Sequence, residues 1–427
     1  SNVNRHRNRI WFAIIKVREL FSGGALIMAI RFAKRMEALN GSEIRELLKL
    51  IEKPEVISFA GGLPAPELFP IEEMKEISRI VLEESGTQAL QYSTTEGFQP
   101  LREQIARRMN SKNKTNVTKD DILITNGSQQ GLDFAGRVFL NEGDVVLCES
   151  PSYLGAINAF KSYGSKFIEV PTDKDGMIME ELEKILEVTE NVKMIYVIPD
   201  FQNPTGITWT LERRKKFIEI ISKYEIPVLE DNPYGELRFE GESLPSLKSM
   251  DKKGLVIFLG TFSKILCPGY RLGWTCASQN ILKKFIFVKQ VADLQASSIS
   301  QIEVSKFIDL YNLDNHVKKI NEVYARRRDL MLETMKEEFP EGVEYTYPEG
   351  GLFIWVELPK HLDSRIIMKD CLANNVAYVP GGSFFPNGGT ENCFRLNYSN
   401  MSDDRIVEGI KRIGLVLRKY MAVKQNV

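Results

Sequence analysis

The sequence predicts an α/β protein: a large domain on a mostly parallel sheet with helices on both faces, and a smaller α+β domain. Three observations carry that prediction. Between residues 121 and 276 short apolar runs alternate with helix-length segments, the pattern of strand–helix–strand units. Polar and turn-forming residues recur directly after those runs. Past Pro340, long charged helical patterns give way to shorter strand and helix units. At 427 residues the chain has room for one large domain and a smaller companion.

Residues 1–36 stand apart. They carry eight basic side chains (Arg5, Arg7, Arg9, Lys16, Arg18, Arg31, Lys34, Arg35) against one acidic, Glu19. Their apolar pieces are too short and interrupted to span a bilayer, and no small-residue cleavage site follows a long apolar core. The segment reads as an extension upstream of a natural start near Met28, with Ser1-Asn2 left over from cloning. Binding to a partner or a membrane surface is the alternative. From Ser42 to Ile51 the apolar spacing predicts an amphipathic helix with Ser42 as its N-cap. Ile57 to Pro64 reads as a strand running into the Gly61-Gly62 turn, where a backbone could approach a ligand closely or simply turn tightly. The polar stretch Gln91 to Gly97 precedes a helix from Pro100 to Met109.

The alternating units follow. Strands are expected over 121–125, 145–148, 194–198, 227–229, 255–259 and 273–276. After the first, Asn126-Gly127-Ser128-Gln129 opens a helix whose start offers N–H groups and hydroxyls to an anion, although Ser128 could equally cap it. Tyr153 follows the second strand, Asn203-Pro204-Thr205-Gly206 the third, and Glu230-Asp231-Asn232-Pro233-Tyr234 the fourth. Taken alone, Asp231 reads as a helix N-cap and Tyr153 as packing. Thr261-Phe262-Ser263-Lys264 follows the fifth, and past Pro268-Gly269 comes Arg271, whose planar fork suits a phosphate. An amine and a phosphate clamp in one loop suit an aldehyde cofactor bearing a phosphate; a surface lysine and a core-edge arginine fit the stretch equally well. Helices are then expected over 301–311 and 317–338, and a strand over 350–356. Ligands of open α/β sheets bind at the carboxyl ends of strands, where these polar groups fall.

Composition excludes several classes. Lys+Arg 56 balances Asp+Glu 57, so nothing points to nucleic acid or to a charged membrane surface. Five cysteines, odd in number and without CxxC spacing, favour reduced, buried thiols in a cytoplasmic protein over a disulfide frame. His6, His316 and His361 are the only histidines, which argues against a His-rich metal site or a His-based triad. No metal is expected, and the chemistry is left to Lys, Asp, Tyr and Arg.

The motifs Asn203-Pro204-Thr205-Gly206, Asp231-x-x-Tyr234, Ser263-Lys264 with Arg271, and Phe394-Arg395-Leu396 occur in this order. With them the chain resembles the pyridoxal-phosphate aminotransferases of fold type I over roughly Phe32 to Arg418. Gly61-Gly62-Leu63-Pro64 and the wording around Asp231 are similar to the aromatic, kynurenine and 2-aminoadipate aminotransferase branch. The resemblance implies an aspartate-aminotransferase-like large domain with a seven-stranded type of sheet. It implies a division into an extension (1–36), a first part of the small domain (37–60), the cofactor-binding large domain (61–335) and the rest of the small domain (336–427). It also implies roles for single residues. Lys264 would hold the cofactor aldehyde and then move the proton between substrate Cα and C4′. Asp231 would face the pyridine nitrogen and keep it protonated. Asn203 and Tyr234 would bond the ring hydroxyl oxygen, and Tyr153 would stack on the ring. Ser128, Gln129, Thr261, Ser263 and Arg271 would hold the phosphate, joined across a homodimer interface by Tyr92. Arg395 would grip the substrate α-carboxylate, with Asn203, Gly62 and Leu63 also lining the substrate pocket.

Three activities share such a scaffold: transamination with 2-oxoglutarate as acceptor, a lyase or decarboxylase reaction, and a non-enzymatic regulator. Some 36 residues ahead of the domain are too few for a DNA-binding winged helix. Arg395 and the branch resemblance favour transamination of an aromatic or 2-aminoadipate-like amino acid.

Overall fold

The computed structural model describes residues 30–39, 51 and 53–422. Residues 30–38, taken by themselves, hold one short 3-10 helix, Lys34–Ala38, with every side chain exposed. The helix expected from Ser42 to Ile51 lies outside the described residues, Ile51 apart.

The rest is built on two main sheets. Strand β1 (Ile57–Ser58) leads in. The large sheet follows, from β2 (Ile122–Thr125), β3 (Val145–Ser150), β4 (Lys166–Asp173), β5 (Gly176–Met177), β6 (Val192–Val197), β7 (Val228–Asp231), β8 (Val256–Thr261) and β9 (Gly273–Cys276). Their spatial order is β2-β9-β8-β7-β6-β3-β4-β5. The β4-β3-β6-β7-β8 pairs are parallel, while β9 runs antiparallel between β2 and β8. The eighth strand, β5, is two residues folded back on the edge of β4.

Strand direction follows from the connections. A helix-length crossover returns the chain to the start of the next strand, which makes the pair parallel. Between β8 and β9 there is only the return loop 262–272, so β9 must run backwards. That loop carries Lys264 and Arg271. Strand β9 therefore starts at the edge where its neighbours β2 and β8 end.

Both faces of the sheet are covered, which is why its strands read as continuous apolar runs. Val146 and Cys148 of β3 and Met194 and Tyr196 of β6 pack on one side, with helices Gly127–Phe139, Leu154–Lys161 and Gln279–Ala292. Val145, Leu147, Ile195 and Val197 alternate to the other side, under helices Met179–Val188 and Leu211–Tyr224. The sequence reading missed β4. It is an edge strand in which only Phe167 and Val170 are buried, so its charged alternation hides the strand signal.

The smaller sheet is antiparallel, with β10 (Glu344–Tyr345), β11 (Phe353–Glu357), β13 (Val379–Pro380) and β14 (Cys393–Asn397) in the order β10-β11-β14-β13. Arg395 sits in its centre, opposite Trp355 on one side and Val379 on the other. Beside it β12 (Val376–Ala377) pairs with β1, and the Asn397 N–H donates to Phe59 O at 2.9 Å. The segment leading to Gly61 is thereby held against the C-terminal part of the chain.

All five cysteines are free thiols, and four are buried. Cys267 departs from the expectation: it lies in the return loop rather than in a packed element, and is only half-buried. Among the described residues no helix is long and apolar enough to cross a membrane.

Behind the sheet edge Arg214 is fully buried. It pairs with Asp200 at 2.6 Å and donates to the carbonyls of Pro199, Trp209 and Pro245, while Asn232 Nδ2 reaches the other Asp200 oxygen at 2.9 Å. Arg214→Leu would leave the buried carboxylate unpaired. It is expected to cost about 3–5 kcal/mol, read as a lowered midpoint in thermal or denaturant unfolding; a change within about 0.5 kcal/mol would refute this view of the pair.

Candidate active site

Strand ends deliver the expected residues to one place. A cavity of about 520 Å³ at the carboxyl edge of the large sheet is lined by Ser128 and Gln129 after β2, Tyr153 after β3, Asn203 after β6, Asp231 and Tyr234 from β7 onward, and Thr261, Ser263, Lys264 and Arg271 after β8. Gly62, Leu63, Phe384 and Arg395 close it from the side of the smaller sheet.

Asp231 is the last residue of β7, not a helix cap as its flanking sequence suggested in isolation. Its carboxylate is buried at 2% exposure. Oδ2 accepts from the Tyr196 hydroxyl at 2.7 Å, and Oδ1 has no partner. Burial raises the pKa to about 6, opposed by the hydrogen bonds from Tyr196 and the Asn232 N–H. The group is therefore mainly ionised at neutral pH, with one oxygen left for a donor. A buried unpaired oxygen is unfavourable unless something completes it, and a protonated ring nitrogen would.

At the other end, Ser128 is the second residue of the helix Gly127–Phe139 and does not cap it. Gly127 adopts φ +68°, open to glycine, and a methyl group there would stand 2.5 Å from Arg271 Nη2. Arg271 thus lies directly over the helix start. Its own backbone is left-handed, φ 52°, after the turn Pro268–Tyr270. Gly273 permits the approach, because a Cβ there would meet the backbone of Gly127, Ser128 and Gly260 at 2.7 Å. Around Arg271, Thr261 Oγ1 accepts from the Ser263 N–H at 3.0 Å and donates to Ser263 Oγ at 2.9 Å. Helix amides, hydroxyls and one permanent cation form a donor set suited to a phosphate dianion.

Between the two ends, Lys264 Nζ donates to Gly62 O at 2.6 Å. Burial, then the Arg395 and Arg271 guanidiniums, lower its pKa to about 8. Arg395 is buried on β14, donates from Nη1 to Asn203 Oδ1 at 2.8 Å and from Nη2 to Ala60 O at 2.7 Å, and leaves Nε unpartnered. Burial pulls its pKa to about 10, so it remains a cation at neutral pH. Its guanidinium lies over the Phe353 and Phe384 rings, at 4.3 and 5.2 Å. Asn203 Nδ2 donates to the Tyr234 hydroxyl at 3.3 Å, and burial pushes the Tyr234 phenol upward, keeping it protonated. The Tyr153 hydroxyl donates to Gln129 Oε1 at 3.3 Å.

One expected residue does not join them. Tyr92 is 79% exposed and is not part of the cavity wall, in a stretch held by Gln295, which accepts from the Ser93 N–H, and by Ser298, which donates to Gln91 O at 2.9 Å. The sequence reading also missed Tyr196, Gly273 and Phe384, whereas Gly127 was read as part of the anion-facing helix start. Tyr196 carried no distinct signal, since a phenol within the strand Val192–Val197 reads as packing.

In this cavity Lys264 supplies the one amine able to condense with an aldehyde, and Asp231 keeps an oxygen for a ring N–H. Both fit pyridoxal 5′-phosphate, and the enzyme class is the aminotransferases that use it. The chain belongs to aminotransferase class I and II, whose family model matches residues 56–413. It is 46% identical to aromatic-amino-acid aminotransferase 1 of Thermococcus litoralis over 394 residues, covering 91% of this chain and 94% of that protein. It is 42% identical to 2-aminoadipate transaminase of Thermus thermophilus, covering 92% and 98%. Among solved structures, Pyrococcus horikoshii kynurenine aminotransferase matches with a TM-score of 0.88 at 43% identity, covering 91% of this chain and 97% of that one.

The depressed Lys264 amine has a measurable consequence. In chain freed of cofactor, labelling of Lys264 by an acylating reagent should rise with pH through about 8, because the neutral amine is the nucleophile. Arg395→Gln removes a neighbouring cation and should move that midpoint to higher pH. An unmoved midpoint would show that Arg395 does not act on the amine.

Proposed function

We propose that this aminotransferase moves the amino group of an aromatic or 2-aminoadipate-like amino acid to a 2-oxo acid, with 2-oxoglutarate as acceptor, in two half-reactions. The observation that carries the reading is the meeting of the Lys264 amine, the unpartnered Asp231 oxygen and the unpartnered Arg395 Nε in one cavity. The names of the similar proteins and the apolar walls Leu63, Leu154 and Phe384 support the donor class.

When bound, pyridoxal 5′-phosphate supplies an aldehyde and a ring that accepts electron density from the substrate Cα. The protein does the rest. Asp231 Oδ1 would accept from the protonated ring nitrogen, with Tyr196 holding the carboxylate in place. Asn203 and Tyr234 would bond the ring oxygen, and Tyr153 would pack on the ring. Ser128, Gln129, Thr261, Ser263 and Arg271 would hold the phosphate. Arg395 would take the substrate α-carboxylate through Nε–H and the guanidinium hydrogens not given to Asn203 and Ala60 and, with Asn203, would orient the Cα–H toward Lys264. Lys264 would be the base that takes the substrate Cα proton and the acid that gives it back, its amine lowered to about 8 by burial and by the Arg395 and Arg271 guanidiniums. Gly62 and Leu63 border the substrate side chain.

The proposal extends to organisation. Residues 37–60 and 336–427 form the small domain and 61–335 the large one, which the β1–β12 pairing supports. The enzyme is a homodimer in which Tyr92 reaches the phosphate of the partner's site; its exposure and its absence from its own cavity wall support this. Free thiols throughout support a cytoplasmic location.

Four experiments test these readings. Adding phenylalanine or 2-aminoadipate alone to the purified holoenzyme should shift the cofactor absorbance band stoichiometrically, and Lys264→Ala should abolish the shift. Arg395→Gln should raise the donor KM roughly a hundredfold. A resting band that no amino acid converts would sink transamination in favour of a lyase or a non-enzymatic regulator. Sedimentation should report a dimer, and Tyr92→Phe should weaken cofactor binding; a monomer with full cofactor affinity would rule out the shared site.

A further inference from the structure

The start of the helix Gly127–Phe139 is tied to an ion pair outside the cavity, between a buried lysine and a partly exposed aspartate. Asn126 occupies the position from which a side-chain oxygen ordinarily caps a first turn, yet no side chain caps this helix. Asn126 Nδ2 instead donates to Asp293 Oδ2 at 2.6 Å, and Gln130 Nε2 donates to the same oxygen at 2.7 Å. Gln130 Oε1 accepts from the Asn126 N–H at 3.0 Å and from Lys289 Nζ at 2.8 Å. Lys289, whose side chain has no exposed surface, closes the set by donating to both Asp293 oxygens at 2.9 and 3.0 Å.

Asn126 and Gln130 flank Gly127-Ser128-Gln129, and Arg271 lies over Gly127. A capping carboxamide oxygen would take the first-turn N–H groups that an anion needs. The network turns that carboxamide away, its amide nitrogen onto Asp293. We propose that Asp293, held by Lys289, is a positioning residue for the phosphate-binding turn. By drawing the Asn126 and Gln130 side chains onto one carboxylate, it keeps the first-turn amides clear and sets Ser128 and Gln129 under Arg271. The inference rests on the reading of that turn as the phosphate site. Asp293 acts through these neighbours and does not line the cavity.

The test compares pyridoxal 5′-phosphate with pyridoxal, which lacks the phosphate, by titrating the full chain stripped of cofactor. Asp293→Asn keeps the side-chain shape and should weaken binding of the phosphorylated form about tenfold while leaving pyridoxal binding unchanged. Gln130→Met removes both polar ends at similar volume and leaves the Lys289–Asp293 pair intact. It should act in the same direction, and it decides the matter if Asp293→Asn does not fold. An equal loss for both ligands, or no loss for either, overturns the inference, because the network then serves the fold alone. Wild-type chain that binds pyridoxal as tightly as its phosphate would overturn instead the reading of Ser128, Gln129 and Arg271 as a phosphate site.

Discussion

The parallel direction of β3, β6, β7 and β8 is the constraint on which the rest of the molecule depends. Each strand is returned by a crossover, so each ends at the same edge and delivers whatever residue follows it there. Asp231, Asn203, Tyr153 and Lys264 are far apart in the chain and meet for that reason. The reversed strand β9 completes the pattern. Its short return loop brings Arg271 back to the edge, and Gly273, wedged between the last residues of β2 and β8, allows the helix start to close on it.

Electrostatics follow from that convergence. Lys264, Arg271 and Arg395 share a cavity in which Asp231 is the lining carboxylate. Like charges and burial together bring the lysine amine toward neutrality at pH values near 8, where a proton can be taken up or released. Arg395 keeps its charge because burial brings it down only to about 10, while its two Nη groups donate to Asn203 and Ala60 and its face lies over two aromatic rings. Burial thus lowers both Lys264 and Arg395, but only the lysine comes within reach of neutral pH.

Much of this was legible in the residues. Strands buried on both faces read as apolar runs, so β2, β3, β6, β7, β8 and β9 were visible, whereas β4 at the sheet edge was not. Most of the site could be named because its polar residues follow those runs in distinctive motifs. Asp231 shows the limit of such reading. A carboxylate after an apolar run looks the same as a helix cap or as a strand end, and only burial beside Tyr196 separates the two. Tyr196 itself, inside its strand, is indistinguishable from packing until its hydroxyl is seen to reach Asp231.

By itself, then, the sequence determined the alternation of strands and helices, the edge at which polar groups collect, and the lysine and arginines available for chemistry. These are properties of periodicity and local motif, carried by neighbours in the chain. The tertiary structure alone decided which oxygen of Asp231 is left free, that Tyr92 stands outside its own cavity, and that Asp293 gathers Asn126 and Gln130 from 167 and 163 residues away. Hydrogen bonds of that kind depend on the packing of distant segments, and no local pattern encodes the distance between them.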